Sequence, residues 1–227
     1  MIEFHNITKT YQKNWTALDN INFNVQKGSF TFIVGPSGSG KSTLLKLIYA
    51  ALTPDLGFVR IGEFRNPGIT TDKIPQLRRK VGVIFQDFRL MQDRTVYENI
   101  SFVLLVTGTP RRIIKDKVAQ VLAELSLTHK LHHYPFQLSG GEQQKIAIAR
   151  ALVRNPFVLV ADEPTGNIDP QGSEEIFKLL QKINAGGTTV IMATHDSSFL
   201  QKASAYRMIA LDHGKVIKDV PPPPSKG

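Results

Sequence analysis

With 227 residues, 41% of them hydrophobic and 21% charged, the chain has the make-up of a soluble globular protein, long enough for one sizeable core with room for an inserted subdomain. It has no cysteine, which excludes disulfides and thiolate metal sites, and no apolar run near the roughly 18 residues of a membrane span. The net charge of +9 comes without any basic cluster interleaved with aromatics, so a solvated basic surface, or one facing an anionic membrane, is favoured over nucleic acid.

The chain opens on MIEFHNITKTY, which has no signal-peptide core, so cytoplasmic residence is expected. Residues 2–4 and 21–25 alternate apolar and polar and read as half-buried strands. Tyr11 lies between them. It is either an aromatic that stacks on a base or a rim aromatic packed on the sheet. A turn at Lys27-Gly28 leads into FTFIVGPSGSGKSTLL, residues 30–45, which reads strand, glycine-rich loop, helix start.

That loop fits G-x-x-x-x-G-K-[ST] across Gly35, Pro36, Ser37, Gly38, Ser39, Gly40, Lys41 and Ser42, with Thr43 following. Lacking a Cβ, Gly38 and Gly40 let the backbone wrap closely and turn its N–H groups inward to phosphate oxygens. The helix behind adds the positive end of its dipole. Lys41 has the reach for the β- and γ-phosphates, and the Ser42 hydroxyl is a Mg²⁺ ligand in this arrangement. A bare glycine turn would not need the strand before and the helix after.

A helix is expected over 42–52, a short strand over 57–61, turns over 64–75 and a basic helical piece over 76–80. The apolar run 81–85 predicts a buried strand that delivers Gln86. Helical periodicity over 96–105 and 115–127, with Val118, Val121, Leu122, Leu125 and Leu127 as the apolar stripe, places an inserted helical subdomain here. His129, His132 and His133 lack the further ligands of a metal site and read as a polar loop. Ser139-Gly140-Gly141-Glu142 opens another helix with an S-x-x-E capping box, and its glycine-exposed N-terminus is a second place where N–H groups face an anion.

The run 157–161 predicts a buried strand ending in Asp162-Glu163. In open α/β sheets ligands sit at that edge, so Asp162 is placed to hold Mg²⁺ and Glu163 to polarise an attacking water. A further strand over 188–193 delivers His195, which can contact a γ-phosphate. Two short strands follow over 208–220, and residues 221–227 form a polyproline-like end expected to be disordered.

In this order the motifs resemble those of the ATP-binding cassette (ABC) ATPases, over about residues 2–220. The resemblance implies an α/β P-loop NTPase fold: a RecA-like core, an N-terminal antiparallel β subdomain and an inserted α-helical signature subdomain at about 87–155. It makes Tyr11 the adenine-stacking aromatic and Gln86 the residue that senses Mg²⁺ and couples to a transmembrane partner. It makes Glu163 the catalytic glutamate, His195 the switch histidine, and Asp169 part of a loop crossing a dimer interface. It also implies a head-to-tail homodimer in which each ATP is held between one phosphate loop and the other subunit's signature helix.

Glu142 departs from the commoner family signature LSGGQ. LSGGEQQ is similar to a branch of cell-division, lipoprotein-releasing and macrolide-exporting ATPases. Within it, FQDFRLMQDRTVYENI over 85–100 most resembles the cell-division members. That implies an FtsX-like transmembrane protein as partner, a peripheral place on the cytoplasmic face of the inner membrane, and control of cell-wall hydrolysis. The alternative is an exporter or lipoprotein-release ATPase. A DNA-repair or translation factor is disfavoured because the chain has neither a long coiled-coil insertion nor a second cassette.

Overall fold

The chain begins as an antiparallel sheet. In the computed structural model, which describes residues 1–11, 15–196 and 205–223, β1 (Ile2–Tyr11) pairs with both β2 (Trp15–Val25) and β4 (Leu56–Ile61). The short β5 (Phe64–Asn66) completes the order β2-β1-β4-β5. The first two strands are longer than their alternation predicts. Asn6 and Asn20 adopt φ of 48° and 51°, and the register shifts between Phe4 and Ile7. Each irregularity slips the in–out alternation, so a period of two picks out only fragments.

The second sheet has the order β10-β9-β3-β8-β7-β6. β3 (Phe30–Val34), β6 (Val81–Ile84), β7 (Val158–Asp162), β8 (Thr189–Thr194) and β9 (Arg207–Asp212) run parallel, and β10 (Lys215–Val220) folds back against β9. Every residue of β3 and β8 is buried, as their unbroken apolar runs require of strands covered on both faces. Successive side chains then go to opposite layers. Ile33 packs with α1 (Lys41–Ile48) and the antiparallel sheet, whereas Phe30, Phe32 and Val34 pack on α6 (Pro170–Ala185). Each such burial stabilises the fold by roughly 1.5–3 kcal/mol.

Three helices make a core of their own: α3 (Val96–Val106), α4 (Arg111–Glu124) and α5 (Gly140–Leu152). Ile100 and Leu104 of α3 meet Val118 and Leu122 of α4 and Ile146 of α5. Leu125 and Leu127 are buried in the same cluster, but they lie past the end of α4, where Ser126 turns to φ 59°. Helix α1 also ends earlier than its apolar pattern suggests. Ala50 takes φ 49°, and the Asn66 amide donates to the carbonyls of Leu47 (3.1 Å), in the last turn of the helix, and Leu52 (2.7 Å), just beyond it. Part of the proline-rich end, 224–227, lies outside the described residues.

Register decides where the site falls. Val34 stands opposite Thr194, Asp162 opposite Ala193, and Ile84 opposite Ala161. The chain therefore leaves β3, β6, β7 and β8 along one edge, and the residues just beyond each strand meet there.

Candidate active site

The loop after β3 is shaped by what surrounds it. Gly40, the residue before α1, has φ 103°, and a Cβ on it would lie 2.4 Å from the Ala17 carbonyl oxygen. A Cβ on Gly35 would lie 2.1 Å from the Leu211 carbonyl oxygen. Close approach thus explains Gly35 and Gly40. At Gly38 the space is open, and the requirement is its φ of 80°. No side chain caps α1 and no acid lies in its first turn, so its N–H groups and positive dipole end face outward uncompensated.

Lys41 is buried and donates to the carbonyls of Gly35 (2.7 Å) and Pro36 (3.0 Å), which curls the loop around its ammonium. The Ser39 hydroxyl of the same loop is buried and finds no partner among the described residues. The Ser42 hydroxyl donates to Asp162 Oδ1 at 3.1 Å. Burial pushes the Asp162 carboxyl above the ordinary carboxylate range, the Ser42 hydrogen bond pulls the other way, and Glu163 adds to the rise. A half-buried carboxylate beside a hydroxyl and a glycine-rich loop suits a cation.

Glu163 sits one residue past β7 with φ 47°, a left-handed conformation unusual for a residue with a side chain. Its N–H donates to the Ala193 carbonyl at 3.0 Å, which ties the strained turn to β8. Its carboxylate accepts from the His195 N–H at 3.3 Å, stands 2.9 Å from His195 Nδ1 and lies 3.6 Å from Lys41 Nζ. One carboxylate thus joins the phosphate-loop lysine to the histidine.

A cleft of about 460 Å³ gathers Tyr11, Ser37, Gly38, Gly40, Lys41, Ser42, Thr43, Gln86, Glu163 and His195. Two further residues line it that the sequence reading passed over, Trp15 and Lys46. Trp15 pairs with Tyr11 across the strands and stacks on it, ring centroids 5.3 Å apart, while the Tyr11 hydroxyl lies 3.4 Å from Thr43 Oγ1. Trp15 is 55% exposed, so the open ring at the rim belongs to it as much as to Tyr11. The signal was a lone tryptophan a few residues after Tyr11 at the start of the returning strand.

Ser139, Gly140, Gly141, Glu142 and Asp169 do not line this cleft. Ser139 and Glu142 form the expected capping box of α5, leaving the N–H groups of Gly140 and Gly141 at the helix start. A Cβ on Gly140 would lie 3.2 Å from the Asn167 carbonyl oxygen. Asp169 caps α6, accepting from the Gly172 N–H at 2.9 Å. Asn167 in turn donates to the Gln86 carbonyl at 2.9 Å, so the loop before α6 links the signature helix to the Gln86 segment.

A parallel α/β core, a glycine-rich loop leading into a helix, an acidic pair at a strand end and a histidine against that pair define a P-loop nucleotide hydrolase. The ABC transporter family profile matches residues 18–166, and the chain belongs to that family as an ABC-type ATPase. Similar curated proteins include the cell division ATP-binding protein FtsE of Streptococcus pneumoniae, 48% identical over 96% of this chain and 95% of that protein. FtsE of Escherichia coli is 43% identical over 94% of this chain and 96% of its own length. Among solved structures, the dimeric bacterial ABC transporter cassette MJ0796 superposes with a TM-score of 0.87 at 37% identity, covering 97% of this chain and 98% of that one. A post-hydrolysis dimer of the same cassette, bound to ADP and Pi, matches with a TM-score of 0.87 at 36% identity over 97% of this chain and 98% of that one.

Proposed function

We propose that the chain is the ATP-hydrolysing subunit of an FtsEX-type membrane complex, in which ATP-driven closure of a head-to-tail homodimer moves an FtsX-like transmembrane protein that regulates cell-wall hydrolysis in cell division. The observation that carries the chemistry is Glu163, which bridges Lys41 and His195 at the end of β7. There a carboxylate can accept a proton from water while His195 and Lys41 hold the γ-phosphate end. Ser42, Asp162 and Gln86 are the residues to hold Mg²⁺, which supplies charge neutralisation at the phosphate oxygens. Among the described residues no group of three or more acids and histidines would cage a metal by itself. Mg²⁺ bound with a nucleotide needs only one or two carboxylates, because phosphate and water complete its shell. Tyr11 and Trp15 offer the aromatic surface for the base.

The cell-division role rests on the FtsE relatives and on the 85–100 segment. Among the described residues no helix is long and apolar enough to cross a membrane. The test is to purify a tagged Glu163→Gln form from gently solubilised membranes and identify what accompanies it. An FtsX-like protein is the expected companion. A lipoprotein-release or exporter subunit would move the reading to that branch, and nucleic acid or ribosome alone would remove the membrane role.

A further inference from the structure

Glu163, the proposed base, has a backbone shape that its neighbour opposes. It precedes Pro164, and a residue before proline favours the extended region. At φ 47° it stands in the left-handed one instead. Such a conformation persists only where the surroundings hold the chain around it. On the strand side the holder is β8, whose Ala193 carbonyl accepts the Glu163 N–H. On the far side the Gly166 N–H closes the turn onto the Glu163 carbonyl at 3.1 Å. The anchor from outside the turn comes from the second turn of α5, where the Gln144 amide donates to the Pro164 carbonyl at 2.6 Å.

Gln144 is fully buried, and its Oε1 has no partner among the described residues. The amide faces Pro164 with its NH₂ group, because a carbonyl accepts and never donates. An amide left half satisfied in a core is worse for stability than an apolar side chain of the same length. The next positions of α5 carry such apolar groups, with Ile146, Ala147, Ile148 and Ala149 all buried. Packing therefore does not require a glutamine at 144, whereas a donor aimed at one carbonyl does. That carbonyl belongs to the residue directly after Glu163. Gln144 does not line the nucleotide cleft, so any effect on the reaction passes through this turn.

We propose that Gln144 is a positioning residue for hydrolysis: from α5 it fixes the Pro164 carbonyl, and with it the direction in which the Glu163 carboxylate points. The inference rests on the reading of Glu163 as the base and adds the residue that aims it. Without the bond the turn is free to relax toward the extended form that proline favours. That relaxation carries the carboxylate away from Lys41 and His195. A misplacement of about 1 Å in a reacting group costs about a hundredfold in rate. ATP binding draws on the phosphate loop and the aromatic rim, which Gln144 does not touch.

The test is Gln144→Met in the full-length chain, which keeps the side-chain length and removes the donor, measured beside Glu163→Gln. Its kcat should fall about ten- to hundredfold, while ATP affinity by equilibrium dialysis stays within about twofold of the unaltered chain. Added to Glu163→Gln, the same change should lower the residual rate by less than about twofold, because a residue that acts through the base has nothing left to aim. Gln144→Asn keeps the amide one carbon short of the carbonyl and should lose kcat in the same way. It replaces the methionine form if a thermal melt shows that form unfolded. An undiminished kcat in the folded variant overturns the proposal. So does a fall as large on the Glu163→Gln background as outside it, or a loss of ATP affinity in step with the rate, since Gln144 would then serve the fold alone. If Glu163→Gln itself hydrolyses ATP at the unaltered rate, the base reading fails and takes this one with it.

Discussion

Glu163 concentrates the chemistry at the scale of one residue. Its left-handed φ of 47° aims the carboxylate back over the phosphate loop, a strain of about 1–3 kcal/mol held by the bond to Ala193 and by His195. Glutamine keeps the shape and removes the carboxylate proposed as the base. Glu163→Gln should therefore cut phosphate release by about 10²–10⁴-fold while ATP still binds, and a fall of less than about tenfold would place the base elsewhere. The rim offers a natural probe, because Trp15 is the single tryptophan of the chain and stacks on Tyr11. Its fluorescence should change on titration with ATP and stay flat in Lys41→Ala; a flat response in the unaltered chain would remove the aromatic pair from the nucleotide site. Tyr11 was legible in the sequence through its place in the motif order. Trp15 was not, because only strand pairing brings it onto Tyr11.

Helix α5 shows what a cap does for an element. The Glu142 carboxylate accepts from the Ser139 N–H at 2.9 Å, and Lys130 Nζ lies 3.1 Å away. The Ser139 hydrogen bond comes first among the causes that hold the Glu142 pKa below its ordinary 4.5. A carboxyl lowered on folding contributes stability above its unfolded value and loses it as pH falls through the folded one. The melting temperature of Glu142→Gln should therefore lie below that of the unaltered chain at neutral pH, and the gap should close on acidification below 4.5. A gap that widens in acid would refute the linkage. Ser139→Ala should cost about 1 kcal/mol in a denaturant melt. This box was readable from S-x-x-E, whose bonds are local. The same device opens α3, where Thr95 and Glu98 form a capping box; its T-x-x-E spacing stood in the sequence but was passed over.

For the whole molecule, the question is how the starts of α1 and α5, the two helix N-termini proposed to face phosphate, are related. The cleft takes in the start of α1 but none of residues 139–142. On the reading proposed above, one chain supplies half of a two-sided site and a second copy placed head to tail completes it. Glu163→Gln with ATP and Mg²⁺ should give twice the monomer mass by light scattering, and the ADP form should return to 25.3 kDa. A monomer under both conditions would mean that dimer closure needs the membrane partner.

The sequence by itself determined the contiguous pieces: the phosphate loop, the Asp162-Glu163 strand end, the S-x-x-E cap and the buried parallel strands. Each is made within a few residues, where spacing and hydrophobic period carry the physics. The tertiary structure alone decided the rest. The register of β3, β6, β7 and β8 brings Lys41, Glu163 and His195 together, and the ending of α1 depends on Asn66 from β5. Five arginines from α2 (Ile74–Lys80), the segment after β6, α5 and the turn that ends it line one groove, and no local period announces it. Contacts between residues far apart in the chain depend on how the layers pack, and a single sequence leaves that unwritten.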